Sequence, residues 1–303
     1  MRDVLTRALP QLIGLLAAAC AAEPVTRCED LTVGEGGAPW AVSAGDDSYP
    51  CFVLAAPFDE AWTIEGWEPI VDDALALHHF VVYRTSAELP IGPIGECTIP
   101  EDATIVAAWS PGNDGVQLPD GVGLEIALPG EQLLLQMHYL GVDDARDASG
   151  VRFCATEGAP AIRAGTFTLG TAAFEIPPRA RGHEVLHRCE QRRDVPLTVL
   201  AAAPHMHRLG RSLESRVRRG GPDGPAETLI REDPFDYDRQ VTRVLDPPVV
   251  IHPGDVLETS CVYDNPSAET VRYGIEVEDE MCFDYLTVFP IDAFDAAAVR
   301  FCY

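Results

Sequence analysis

The chain has 303 residues, 47% hydrophobic and 23% charged, a globular composition that excludes wholesale disorder. Asp and Glu outnumber the basic residues 48 to 22, and a formal net charge of -26 excludes nucleic acid and anionic lipid as electrostatic partners. Every basic residue is Arg, so chemistry that needs a lysine is excluded as well.

From the N-terminus, Arg2 and Arg7 precede the apolar stretch Ala8 to Ala19, which reads as an export leader spanning 1–22. It is shorter than a membrane span needs, and no later run is long and apolar enough to be one. Leu16-Ala17-Ala18-Ala19-Cys20 resembles a lipoprotein cleavage site, with lipidation of Cys20 as the membrane attachment. Plain cleavage near Ala22 is the competing reading. Strand-like segments follow throughout, among them Phe80 to Tyr83, Gln132 to Tyr139, Thr198 to Ala202, Pro248 to Ile251 and Thr270 to Val277. Turn signals such as Pro111-Gly112-Asn113-Asp114-Gly115 and Pro253-Gly254-Asp255 separate them. Short strands with frequent turns predict an all-β protein of sandwich or jelly-roll type. The Ala-Gly-Thr stretch after Ala164 is the boundary candidate, dividing the chain into 23–165 and 166–303.

Histidines stand at eight positions. His78 and His79 are adjacent, and neighbours in a strand face opposite ways, so they share an ion only at a bulge or a strand end. His138 closes the apolar run Leu133 to Met137, where a lone histidine suits a core position as well as a ligand position. His183-Glu184-Val185-Leu186-His187 matches HExxH, the zinc-protease pattern, but that chemistry needs a helix and the surroundings here read as strand. His205-Met206-His207 is an HxH, which on a strand turns both imidazoles to one face, toward an ion or toward solvent. No role follows from sequence for His252. Met281, in Asp279-Glu280-Met281-Cys282, offers a soft thioether, a ligand type that selects copper(I), although most methionines fill cores.

Nine cysteines remain to be placed. Setting Cys20 aside leaves an even set: Cys28, Cys51, Cys97, Cys154, Cys189, Cys261, Cys282 and Cys302. In an exported chain, periplasmic or extracellular, this predicts four disulfides. No CxxC occurs, which argues against a zinc ribbon or a thioredoxin-type site.

Taken in order, Leu77-His78-His79-Phe80, Gln136-Met137-His138-Tyr139, His205-Met206-His207 and Asp279-Glu280-Met281-Cys282 with Tyr285 resemble the copper type II, ascorbate-dependent monooxygenases. Ala107-Ala108-Trp109, Leu118 to Gly123 and Asp147 to Gly150 add to the resemblance, which spans about Cys51 to Cys302. It implies two tandem antiparallel jelly-roll β-sandwich domains with one copper on each, two per chain, and ascorbate as reductant. His78, His79 and His138 would hold the electron-supplying copper, and His205, His207 and Met281 the catalytic one, with Tyr285 near the substrate. It also implies the pairings Cys28–Cys154, Cys51–Cys97, Cys189–Cys302 and Cys261–Cys282. The implied activity is hydroxylation of a C–H bond of a small organic substrate with O2. The chain departs from the peptide-amidating members in having Ala203 where they have an Arg and Phe283 where they have an Asn, which argues against a glycine-extended peptide. Asp284 is then a candidate to meet an amine, or else a packing or surface residue. Two other classes compete with the monooxygenase: a copper storage or delivery protein without turnover, and a zinc protease using His183 and His187.

Overall fold

The structure is a computed structural model, and it describes residues 25–291, apart from 46, 60, 128, 143, 275 and 276, together with the backbone of 301 and 302. The leader, Cys20 and the Cys302 side chain lie outside the described residues. The described elements are strands and turns, as the short alternating runs imply, and they pair into several sheets.

Two sheets belong to the first half of the chain. One places Thr26–Thr32, Gly150–Glu157, Trp62–Ile70 and Val116–Gln117 side by side. The other runs Gly92–Glu96, Pro50–Ala55, Gln132–Tyr139, Leu77–Thr85 and Thr104–Trp109. The two-residue period explains their packing. Leu133, Leu135, Met137 and Tyr139 join Phe52 and Val82 in a core shared with Ile64, Trp67, Val151 and Phe153 of the four-stranded sheet. Leu134, on the opposite face, packs with Cys51 and Val53 in a smaller cluster. His138 and Gln136 alternate with the core residues, so they lie on the Leu134 side.

The second half forms a sheet in the order Arg243–Ile251, Leu197–His205, Cys282–Phe289, Ile162–Thr171 and Phe301–Cys302. Its partner sheet runs His183–Glu190, Val256–Tyr263, Gly210–Arg218 and Ala226–Glu232. Phe167, Leu169, Val199, Leu286 and Val288 meet Val217, Leu229, Ile230 and Leu257 between them. The two halves are not insulated from each other. Val122–Leu124 pairs in parallel with Ile162 to Ala164, and Leu200 and Ala201 enter the first core.

The stretch taken as the boundary candidate lies within the strand Ile162–Thr171. Its small residues answer a packing demand: a Cβ on Gly165 would stand 2.9 Å from Cγ1 of Ile291. Disulfides join Cys28 to Cys154 across neighbouring strands, Cys51 to Cys97, and Cys261 to Cys282. Cys189 is also disulfide-bonded.

Candidate metal centres

The first centre forms where the strand Leu77–Thr85 meets Gln132–Tyr139. His138 stands directly opposite His79, but the next pair is Tyr139 with Leu77, so His78 is the extra residue of a β-bulge. The bulge removes the obstacle that adjacency posed, turning both neighbours toward His138. The three Nδ1 atoms converge, at 3.1 Å from His78 to His79, 3.1 Å from His78 to His138 and 3.4 Å from His79 to His138. Among the described residues these three form a group able to hold an ion. The centre of such a triangle lies roughly 2 Å from each nitrogen, the length of a metal–imidazole bond. The outer nitrogens meet carboxylates: His138 Nε2 lies 3.2 Å from Asp47, and His78 Nε2 lies 3.5 Å from Asp238. An outer carboxylate that accepts a hydrogen bond from Nε2–H favours the tautomer in which Nδ1 has its lone pair for a ligand role. Tyr49 stacks on His138 at 4.2 Å.

His79 and His138 are held neutral. Burial, then the charge of His78, pulls His138 down to about 4 against the opposing pull of Asp47. Burial and the neighbouring imidazoles hold His79 well below its ordinary value. His205 and His207 are among those neighbours, so the two groups of histidines sit within electrostatic reach of one another.

The second centre forms at the end of the strand Leu197–His205. The chain leaves the sheet after His205, and a turn closed by Gly210 N–H on the His207 carbonyl brings His207 beside it, with ring centroids 5.2 Å apart. Met206 points the other way into the core and lies against Gly210, where a Cβ would come within 2.9 Å of it. Here the Nδ1 atoms face outward. His205 Nδ1 lies 2.7 Å from Oε1 of Gln240, and His207 Nδ1 lies 3.0 Å from the Asp279 carbonyl. Gln240 donates its own Nε2 to the Tyr237 carbonyl, which orients the amide and leaves its oxygen toward His205. Both rings therefore donate from Nδ1, which leaves Nε2 as the unprotonated nitrogen of each neutral ring. Burial and His207 lower His205 to about 3, so it too is neutral.

Glu280 ties Met281 to this turn. Its carboxylate accepts the N–H groups of Leu209 at 2.6 Å, His207 at 2.9 Å and Met281 at 3.2 Å. Burial raises the carboxyl to about 7 in spite of those three donors. The Tyr263 hydroxyl donates to the Met281 carbonyl at 2.6 Å, and Cys282 is bonded to Cys261. Tyr285 lies 5.9 Å from His205 and 6.0 Å from Phe283, ring to ring, and Tyr273 meets Phe283 edge-on at 5.9 Å. In register, Phe283 faces His205 and Tyr285 faces Ala203. Asp284 does not join them. It is wholly buried on the opposite side of the strand, where burial raises its carboxyl to about 7 with Ser215 nearby. An amine at the metal centre is out of its reach.

The zinc-protease pattern fails on geometry. His183 and His187 lie on the strand His183–Glu190, where four residues span about 13 Å. Glu184 points to the other face and accepts a bond from Ser260 at 2.6 Å. Asp47, Asp238, Gln240 and Glu280 are the residues that sequence reasoning missed. Only Glu280 carried a signal, as a carboxylate beside the methionine motif.

The comparisons with known proteins bear on the family of the chain. The N-terminal domain of the copper type II ascorbate-dependent monooxygenases matches residues 38–146, and their C-terminal domain matches 162–303. Mouse DBH-like monooxygenase protein 2 is 29% identical over 81% of this chain and 44% of its own length. Human dopamine beta-hydroxylase is 28% identical over 82% and 44%, and tyramine beta-hydroxylase of Caenorhabditis briggsae 26% over 86% and 48%. The chain thus spans a little under half the length of these relatives. A solved viral particle, derived from infectious bursal virus, covers 91% of this chain and is covered over 72% of its own, at 12% identity and a TM-score of 0.28, which carries no argument. With both domain families matched across nearly all of the described residues, the chain belongs to the copper type II ascorbate-dependent monooxygenase family.

Proposed function

We propose that the chain is a monooxygenase with two mononuclear copper centres, which hydroxylates a C–H bond of a small organic substrate with O2 and ascorbate. The observation that carries this reading is a pair of dissimilar histidine groups, one converging on three Nδ1 atoms and one with both Nδ1 atoms engaged so that Nε2 is left for a ligand role. His78, His79 and His138 would hold one copper, and His205, His207 and Met281 the other. Copper bound there would shuttle between its two oxidation states and activate O2. The chain's own residues supply buried imidazoles whose Nδ1 partners fix the tautomers of His205 and His207. Storage or delivery of copper would not call for two different donor sets, nor for Tyr285 beside one of them.

The substrate side of this reading rests on the aromatic wall of Phe283, Tyr285 and Tyr273. Ala203 offers no charge, and the Glu280 carboxylate is taken up by backbone N–H groups. The favoured substrate is apolar and aromatic, recognised by shape and stacking. The two halves would be tandem jelly-roll domains, the second beginning near Ile162. Export follows from the leader and from the disulfides, which form in oxidising compartments, with Cys20 as a lipid anchor.

The test is copper-dependent O2 uptake with ascorbate, coupled to product profiling with isotopically labelled O2. One labelled oxygen atom in a hydroxylated product is expected, and Met281→Ile should hold most of the copper yet lose turnover. Fully loaded protein that consumes no O2 and labels nothing across a broad amine and arene panel sinks the enzyme reading.

A further inference from the structure

One segment touches both metal centres. Between the strands Ala226–Glu232 and Arg243–Ile251 the chain crosses to the first half of the molecule as Tyr237-Asp238-Arg239-Gln240. The Tyr237 ring lies 5.7 Å from His78, and the Asp238 carboxylate lies 3.5 Å from His78 Nε2. Two residues on, Gln240 accepts from His205 Nδ1 at 2.7 Å. The segment is fastened between them. Ser110 donates to the Gln240 carbonyl at 2.5 Å, and Asn113 donates to the Thr242 hydroxyl at 2.9 Å. Gly112 passes so close that a Cβ there would stand 2.8 Å from Nε of Arg239. The amide of Gln240 is locked by its bond to the Tyr237 carbonyl.

We propose that residues 237–240 are a shared strap that positions one ligand ring of each centre. Asp238 holds the Nε2 proton of His78, which leaves Nδ1 for the ion. Gln240 holds the Nδ1 proton of His205, which leaves Nε2. Two residues of backbone separate the two acceptors, so a displacement that reorients one ring is passed to the other. A partner that fixes the outer nitrogen of a ligand histidine governs its tautomer and affinity, and a common element makes the two affinities reciprocal. The proposal rests on the copper reading above for its functional meaning, but its geometry can be tested without copper.

The experiment is long-range 1H–15N NMR of the imidazole rings in the metal-free full chain, joined to copper affinities from chelator competition. The unaltered chain should show His205 protonated on Nδ1 and His78 on Nε2. Gln240→Leu should release the His205 tautomer alone, and Asp238→Ala that of His78 alone. Each should lower copper affinity at its own centre about 10- to 100-fold. Asp238→Asn keeps an acceptor oxygen and should restore the His78 tautomer. Ser110→Ala combined with Thr242→Val loosens the strap at its fastenings, away from both rings, and should shift both together. Unchanged tautomers in the single variants, or a double variant that moves one ring or neither, overturns the strap. If the tautomers respond as stated while the chain takes up no copper, the strap stands and the copper reading falls.

Discussion

Asp284 shows how one residue can look functional in sequence and be removed from function by strand alternation. It lies one place from Tyr285, yet its carboxyl is fully buried, with the Ser215 side chain and the Ala203 backbone as its polar neighbours. Its folded pKa of about 7 stands above the ordinary 3.8. The carboxyl's contribution is therefore fully present below about pH 4 and is lost as pH rises through 7. Asp284→Asn should be more stable than the unaltered chain at pH 8, by roughly 4 kcal/mol, with the gap closing near pH 4. Chemical denaturation across that range measures it, and the buried histidines cancel because they titrate in both proteins. A gap that is flat with pH would mean that the carboxyl is charged in the fold. The ligand candidates were legible at this scale because their residue types and order matched a family. Asp47, Asp238 and Gln240 were not, because each reaches its histidine across 35 to 160 residues of chain and has no local pattern.

At the scale of elements, the turn after His205 and the segment before Cys282 are held as one piece by Glu280. Removing its carboxylate strands three N–H groups, one buried and two part-buried. Glu280→Ala should cost roughly 3 kcal/mol, and Glu280→Gln, which keeps one acceptor oxygen, about half of that. Thermal unfolding of the metal-free protein reads both, and equal losses would show that the oxygen pair is not what holds the turn. The sequence stated the condition for His78 and His79 to converge, a bulge, but could not place one. A bulge is a mismatch between two strands, and it appears only when Tyr139 pairs with Leu77. The HExxH pattern erred for the converse reason. Its meaning depends on a helical period, and the His183 strand has a period of two.

Across the whole molecule, the all-β class was legible from alternation and turns, whereas the joining of the halves was not. The Ala-Gly-Thr stretch, the boundary candidate, runs through a strand, and close neighbours such as Ile291 leave room only for small residues there. Two centres on two halves lead to a simple count. Elemental analysis should find two coppers per chain, falling to one in His138→Ala and to one in His205→Ala. Loss of both from either variant would mean that the centres are not separate. The heavy negative charge does not enter this count: the proposed ligands are five imidazoles and a thioether, none of them acidic.

The two histidine groups present opposite ring nitrogens, Nδ1 in the first and Nε2 in the second, and for any ions they hold that asymmetry would give different substitution grammars. The side-chain amide of asparagine places a donor atom where a histidine carries Nδ1, and that of glutamine reaches as far as Nε2. His138→Asn should therefore keep weak metal retention that His138→Gln loses, whereas His205→Gln should keep what His205→Asn loses. A histidine that is interchangeable in sequence is thus two different residues in chemistry, and metal retention across these four variants distinguishes them without reference to turnover.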